Sequence, residues 1–273
     1  MQTNDTDDDY TGLGARAWDL YSGDEPEADH AFFRTLIEQG NGPALDVGCG
    51  TGRLLLPYLQ AGLDVDGVEP SADMLALCRQ RADERGLNPA LYPQTLQTLD
   101  LPRRYRTIIV PCGTIQLVQS RADVRESLRR LHAHLEPGGR LVLTASNPWL
   151  WLPHIIGERK PAEPGDEWGH RATKPLPDGT RLAKHARLDG HDLVEQTLAV
   201  TIRYRRLASE TDDVLEEQLC NTPNRWYFPH ELSLLVELAG FLVERVTGNY
   251  SPDEPFNNSH SVMALCGQRS EIA

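Results

Sequence analysis

Between residues 44 and 146, short apolar runs alternate with longer stretches whose apolar positions recur every three or four residues. The runs Ala44–Val47, Asp64–Val68, Ala90–Pro93, Thr107–Pro111 and Arg140–Ser146 read as strands. The stretches between them read as helices, because one face of a helix repeats at that interval. One helix spans about Arg53 to Ala61, with Pro57 inside it as a first-turn position or a bend, and Gly62 as its left-handed cap. A second is capped by Ser71 and carries Met74, Leu75, Leu77 and Cys78 toward Gly86. A third follows Asp123 and Glu126, a capping-box-like pair, and shows Val124, Leu128, Leu131 and Leu135 on one face. Strands alternating with helices of this length imply right-handed crossovers and a parallel sheet.

The texture changes after Asn147. Residues 148–179 are rich in Pro, Gly, Trp and charge and read as irregular. From Arg181 to Leu207 the pattern has period two, with Leu198, Val200, Ile202 and Tyr204 on one side and Ala199, Thr201, Arg203 and Arg205 on the other. Asp189-Gly190 between two such runs signals a hairpin, and a further strand is expected over Val214–Thr222. A helix over Pro229–Gly240 and strands at Phe241–Thr247 and Val262–Cys266 complete the chain. Upstream, residues 1–9 contain four Asp and read as a disordered lead. Trp18, Tyr21, Phe32, Phe33, Leu36 and Ile37 mark an amphipathic region from Tyr10 to Gln39.

The fold class expected is therefore α/β: a Rossmann-like, doubly wound, mainly parallel seven-stranded sheet with an antiparallel β insertion after strand five. Four segments follow: a lead and helical cap (1–40), the α/β core (41–147), the insertion (148–222), and the last helix with two core strands (223–273).

Charge and cysteine usage narrow the partners. Twenty-seven basic against 40 acidic residues leave −13. That sign opposes binding to phosphate backbones, so neither nucleic acid nor an anionic membrane is an expected partner. The five cysteines stand without a CxxC pair and read as reduced, buried thiols. His132 and His134 diverge on a helix, so no metal is expected. The N-terminus has no basic-then-apolar leader, and no run reaches membrane-spanning length; the expectation is a cytoplasmic protein.

Ala-Leu-Asp-Val-Gly-Cys-Gly-Thr-Gly, residues 44–52, concentrates the candidate chemistry. A buried strand ends in Gly48, Gly50 and Gly52, where backbone can turn with positive φ and touch a ligand without a Cβ intervening. Asp46 can hold the loop's N–H groups or pair with a ligand ammonium. Glu69 ends the next strand, 17 positions after Gly52, and can accept both hydroxyls of a ribose. The nicotinamide fingerprint spaces its third glycine one place later than this loop does, and no catalytic Tyr-Lys pair is evident.

These motifs resemble the cofactor site of the class I S-adenosylmethionine-dependent methyltransferases, in particular the small-molecule, natural-product and amino-sugar branch. The Gly67-to-Leu75 segment, Gly-Val-Glu-Pro-Ser-Ala-Asp-Met-Leu, matches the family's second motif. The resemblance implies S-adenosyl-L-methionine as cofactor, contacted by Asp46, Gly48, Cys49, Gly50, Gly52 and Arg53 of the loop. It further implies Glu69 and Pro70 at the ribose, Ser71 and Met74 near the adenine, and Pro111 and Cys112 beneath the methionine. Where the family places an acid after strand three, this chain reads Pro93-Gln94-Thr95-Leu96-Gln97. Thr95 or Gln94 is then left to accept from the adenine amine, with the Leu96 N–H toward the ring. An aromatic residue near the N-terminus closes over the sulfonium in such enzymes; Tyr21 is the best candidate, Trp18 and Tyr10 its rivals. The insertion builds a substrate lid or a homodimer contact in several of them.

Methyl transfer needs a positioned nucleophile and, for a hydroxyl, a base. The acceptor expected is a small molecule with a nucleophilic N or O. His154 is the base candidate, since it follows Asn147-Pro148-Trp149-Leu150-Trp151 past strand five; His170, His185, His191, His230 and His260 read as structural or exposed. The aromatics of Asn224–Phe228 either line the pocket or pack the insertion onto the sheet. The alternative function is a cofactor-binding protein that does not methylate, a cyclase, isomerase or binding module.

Overall fold

The structure is a computed structural model and describes residues 7–8, 10–22, 27–153 and 168–270. Its first elements are β1 (Asp7–Asp8), α1 (Gly12–Ser22), α2 (Glu27–Gly40), β2 (Ala44–Val47), α3 (Leu55–Gln60) and β3 (Val65–Val68). Next come α4 (Ala72–Glu84), β4 (Leu91–Tyr92), β5 (Tyr105–Val110), α5 (Arg121–Ala133) and β6 (Leu135–Ser146). The second half holds β7 (Gly169–Pro175), β8 (Arg181–Asp192), β9 (Thr197–Leu207), β10 (Val214–Asn221) and β11 (Asn224–Arg225). Then α6 (Pro229–Leu238), β12 (Phe241–Gly248) and β13 (Val262–Arg269) follow.

The core sheet has seven strands in the order β12-β13-β6-β5-β2-β3-β4. Only β13 runs against its neighbours, so the sheet is mainly parallel, as the alternating pattern implies. Its central strands are almost wholly covered: all four residues of β2 and of β3 are buried, because helices cover both faces. Leu45, Val47, Ile108 and Val110 face one apolar cluster with α5 and α6, and Ala44 and Ile109 face the other with α2 and α3. The chain passes from β2 outward to β3 and β4, then returns to β5 on the other side of β2. That reversal opens a crevice at the carboxyl ends of β2 and β5, where ligands bind in open α/β sheets.

A second sheet, β1-β10-β9-β8-β7 with β11 added to β9, takes all its strands but β1 from between β6 and α6 in the chain. It packs Leu182, Ala186, Ile202, Tyr204 and Cys220 against Leu13 and Ala17 of α1.

Several local expectations are corrected. The stretch expected to be irregular contains β7, and Asp7–Asp8 of the expected disordered lead pairs with Cys220 and Asn221. Asp189-Gly190 is not a hairpin turn. Its carboxylate is held by Arg187 Nε at 2.6 Å and by Thr201 Oγ1 at 2.5 Å, so the strand bulges there and continues. The chain reverses after Asp192, whose Oδ1 accepts from the N–H groups of Val194 and Glu195 at 2.8 and 2.9 Å. At α5 the cap is Ser120: its Oγ accepts from Asp123 N at 3.0 Å, while Glu126 pairs with Arg129 and Arg130.

Candidate active site

The loop after β2 is wired to the neighbouring strand, since Gly48 N and Cys49 N both donate to Val68 O, at 2.7 and 3.0 Å. Two of its glycines do different work. At Gly52 (φ +87°) an added Cβ would sit 2.7 Å from Leu56 Cγ and 2.9 Å from Cys78 Sγ, so this glycine lets the loop pack on α3 and α4. At Gly50 (φ +54°) the nearest atom would be Trp18 Nε1 at 3.6 Å, so this one faces open space. That space is a cavity of about 480 Å³ at the crevice of the sheet.

Two carboxylates reach it. Glu69 is 6% exposed; its Oε2 accepts from Gly50 N at 3.2 Å and its Oε1 from Ser71 N at 2.9 Å. These bonds join the glycine loop to the start of α4 and hold the carboxylate still. Asp46 is 1% exposed, and its Oδ1 has no hydrogen-bond partner. Burial pushes its carboxyl up to about 7, an effect that Arg53 opposes and the Glu69 and Asp29 charges reinforce. Leaving a buried acceptor unpaired costs about 1–3 kcal/mol, so a donor reaching this oxygen from the cavity would be favoured.

The one guanidinium on the wall is already committed. Arg53 donates both terminal nitrogens to Asp29 of α2, at 3.1 and 2.5 Å, and Nη2 also reaches Cys112 Sγ at 3.3 Å. With Arg53 balanced by Asp29, the cavity keeps the negative charge of Asp46 and Glu69. Such a wall suits a ligand carrying an ammonium and a sulfonium, and repels a pyrophosphate. S-adenosylmethionine fits these residues; a nicotinamide dinucleotide does not.

Of the expected cofactor residues, Asp46, Gly48, Cys49, Gly50, Arg53, Glu69, Pro70, Met74, Thr95, Leu96, Pro111 and Cys112 line this one cavity. Gly52 and Ser71 do not. Ser71 caps α4, accepting from Met74 N at 3.2 Å and donating to Tyr10 O at 2.5 Å. Cys49 is buried, and burial raises its thiol well above the usual range, as expected for an inert packing residue. Cys112 adopts φ +52°, a left-handed conformation that brings its thiol to the Arg53 guanidinium.

Tyr21 is corrected outright. Its hydroxyl donates to Leu182 O at 2.7 Å, its ring lies under Lys174 and Lys184, and it does not line the cavity. Tyr10 and Trp18 do line it, packed edge to face at 5.6 Å. The placement of α1 explains the exchange. Gly12 N donates to Asp73 Oδ2 of α4 at 2.7 Å, and Leu13 N and Gly14 N donate to Gln218 Oε1 of β10 at 2.5 and 3.2 Å. Helix α4 of the core and strand β10 of the second sheet therefore cap the same helix, which carries Trp18 toward Gly50 and Tyr21 toward the second sheet.

His154 lies outside the described residues. Among Asn224–Phe228, no residue lines the cavity: Trp226 and Tyr227 are 2% and 1% exposed, and Tyr227 packs into the core of the main sheet. These aromatics join the insertion to the core. Beyond Thr114, the far wall is Leu117 and Val118 after β5 together with Asn221, Thr222 and Pro223 at the end of β10, which sequence reasoning missed. A proline directly after an expected strand end was the only local signal for the latter.

A family model described as a methyltransferase domain matches residues 44–139. The chain is 31% identical over 158 residues to a ubiquinone biosynthesis O-methyltransferase of Nitrobacter winogradskyi, a match covering 56% of this chain and 58% of that protein. It is 28% identical over 192 residues to a dTDP-3-amino-3,6-dideoxy-alpha-D-glucopyranose N,N-dimethyltransferase of Streptomyces fradiae, covering 68% of this chain and 72% of the relative. Among solved structures, an S-adenosylmethionine-dependent methyltransferase from Clostridium acetobutylicum superposes with a TM-score of 0.76 at 14% identity. That superposition covers 94% of this chain and 98% of the other.

Proposed function

We propose that the chain, as a class I S-adenosylmethionine-dependent methyltransferase of the small-molecule branch, methylates the amine of a small molecule. The observation that carries the reading is the acidic cavity at the switch point of the sheet, with one buried Asp46 oxygen left unpaired. When bound, S-adenosylmethionine supplies an electrophilic methyl: the acceptor's nitrogen lone pair forms the C–N bond as the C–S bond breaks, leaving a thioether and a proton to depart from nitrogen.

In this reading Asp46 holds the cofactor's ammonium, and Glu69, fixed by Gly50 and Ser71, accepts from the ribose hydroxyls. Trp18 covers the glycine loop and keeps water from the reacting centre. Leu117, Val118, Asn221, Thr222 and Pro223 receive the acceptor, the leucine, valine and proline by apolar contact and Asn221 and Thr222 through their polar side chains. Arg53 and Asp29 lock the loop to α2 without adding net charge.

One observation favours an amine over a hydroxyl: the amino-sugar N-methyltransferase is matched over a larger share of its length than the O-methyltransferase is. An amine needs only to arrive neutral, whereas a hydroxyl needs a base. The same proposal has the protein working in the cytoplasm, with the exposed edge of the second sheet as the contact of a homodimer.

The test is incubation with methyl-labelled S-adenosylmethionine and a panel of small amines, amino sugars included, alongside phenols and alcohols. Label should appear on nitrogen. Label confined to oxygen would contradict the amine assignment while leaving the cofactor reading intact.

A further inference from the structure

The stretch after β4 stands where an acid is expected to meet the adenine, and the structure shows which side chains there are already in use. Gln94 spends both ends of its amide on one residue: Nε2 donates to Asp100 O at 3.0 Å, and Oε1 accepts from Asp100 N at 2.8 Å. The Thr95 hydroxyl is 3.0 Å from Thr98 Oγ1, which also accepts from Thr95 N at 3.1 Å. Leu96 turns into the apolar core. Gln97 lines the same cavity as Glu69, Pro70 and Met74, and its carboxamide makes no hydrogen bond with any described residue.

Resting on the S-adenosylmethionine reading, we propose that Gln97 reads the 6-position of the cofactor's purine, and that this makes the site tolerant of a 6-oxo purine. A carboxylate at this place only accepts hydrogen bonds, so it pairs with the 6-amino group of adenine and repels the O6 of hypoxanthine. A carboxamide carries a donor and an acceptor on one rotatable group. It offers Oε1 to the adenine amine and, turned over, Nε2 to O6. The departure from an acid therefore replaces a strict selector by an adaptable one, without loss of the contact itself.

The experiment is calorimetric titration of the full chain at pH 8 with S-adenosylhomocysteine and with S-inosylhomocysteine, for wild type, Gln97→Leu and Gln97→Glu. Gln97→Leu should weaken both ligands by about three- to tenfold, the worth of one neutral hydrogen bond. Gln97→Glu should hold or tighten the adenosyl ligand and weaken the inosyl one, widening the ratio between them by at least about tenfold. Thermal melts of the ligand-free variants should match wild type, since Gln97 makes no contact that folding needs. Should both variants leave the ratio and both affinities within about twofold of wild type, Gln97 does not touch the base and the proposal fails. A wild-type chain that binds neither ligand overturns the cofactor reading itself, and this inference with it.

Discussion

Two buried aspartates on adjacent strands of one sheet have opposite surroundings. Asp66 of β3 accepts from Arg103 Nε and Nη2 and from the Tyr105 hydroxyl, all at 2.8–2.9 Å. Asp46 of β2, at the carboxyl end, keeps an oxygen with no partner and has its carboxyl raised by burial. Both cost desolvation, but only the first is repaid within the chain. Asp66 is a joint of the scaffold; at Asp46, on our proposal, a ligand brings the missing donor.

The largest effect should come from filling the space the open carboxylate faces. Gly50→Arg puts a long cation beside Glu69 in the cavity, and S-adenosylhomocysteine binding should fall by more than about a thousandfold in calorimetry. The left-handed φ of +54° costs the variant about 1 kcal/mol, but the new Cβ meets no other segment closer than Trp18 Nε1 at 3.6 Å, so the circular dichroism spectrum should stay native. Arg103→Ala attacks the closed carboxylate instead. It leaves Asp66 with the Tyr105 hydroxyl, and urea unfolding should show a loss of about 2–4 kcal/mol, with ligand affinity unchanged.

Asp46→Asn should do the reverse. Affinity for S-adenosylhomocysteine falls by about ten- to a hundredfold, the worth of one charged hydrogen bond, while the ligand-free protein becomes more stable above neutral pH. The sign follows from the raised carboxyl. Its ionisation in the folded state costs stability that wild type loses as pH climbs from about 4 to about 7, and the asparagine variant has no such loss. For the same reason wild-type affinity for the ammonium-bearing ligand should drop about tenfold between pH 8 and pH 6, as Asp46 takes up its proton. The smallest effect belongs to Tyr21→Phe. It removes one hydrogen bond to the second sheet, about 1 kcal/mol of stability, and should leave methyl transfer as it was.

What could be read in advance follows the same division. The cofactor half was legible because each of its residues sits at a strand end beside a glycine or a helix cap, within one stretch of chain. Asp46, Gly50 and Glu69 needed only the order strand, loop, helix. The far wall was not, because it joins Leu117 and Val118 to Asn221–Pro223, and no local pattern links segments so far apart. Tyr21 and Trp18 lie three residues apart on one helix; what turns one inward is a pair of caps, Asp73 and Gln218, supplied by other elements. The Asp189-Gly190 signal failed because a side chain outbid the backbone turn. Arg187 and Thr201 secure Asp189 inside a strand that a two-residue loop would have ended.

The account's central claim is that the open carboxylate at the carboxyl end of β2 serves a cationic nucleoside. The most direct test is calorimetric titration of the wild-type chain at pH 8 with S-adenosylmethionine and, separately, with NAD. The account predicts saturable one-to-one binding of the first at micromolar concentration and no heat from the second. Binding of NAD, or no binding of S-adenosylmethionine at millimolar concentration, would contradict it.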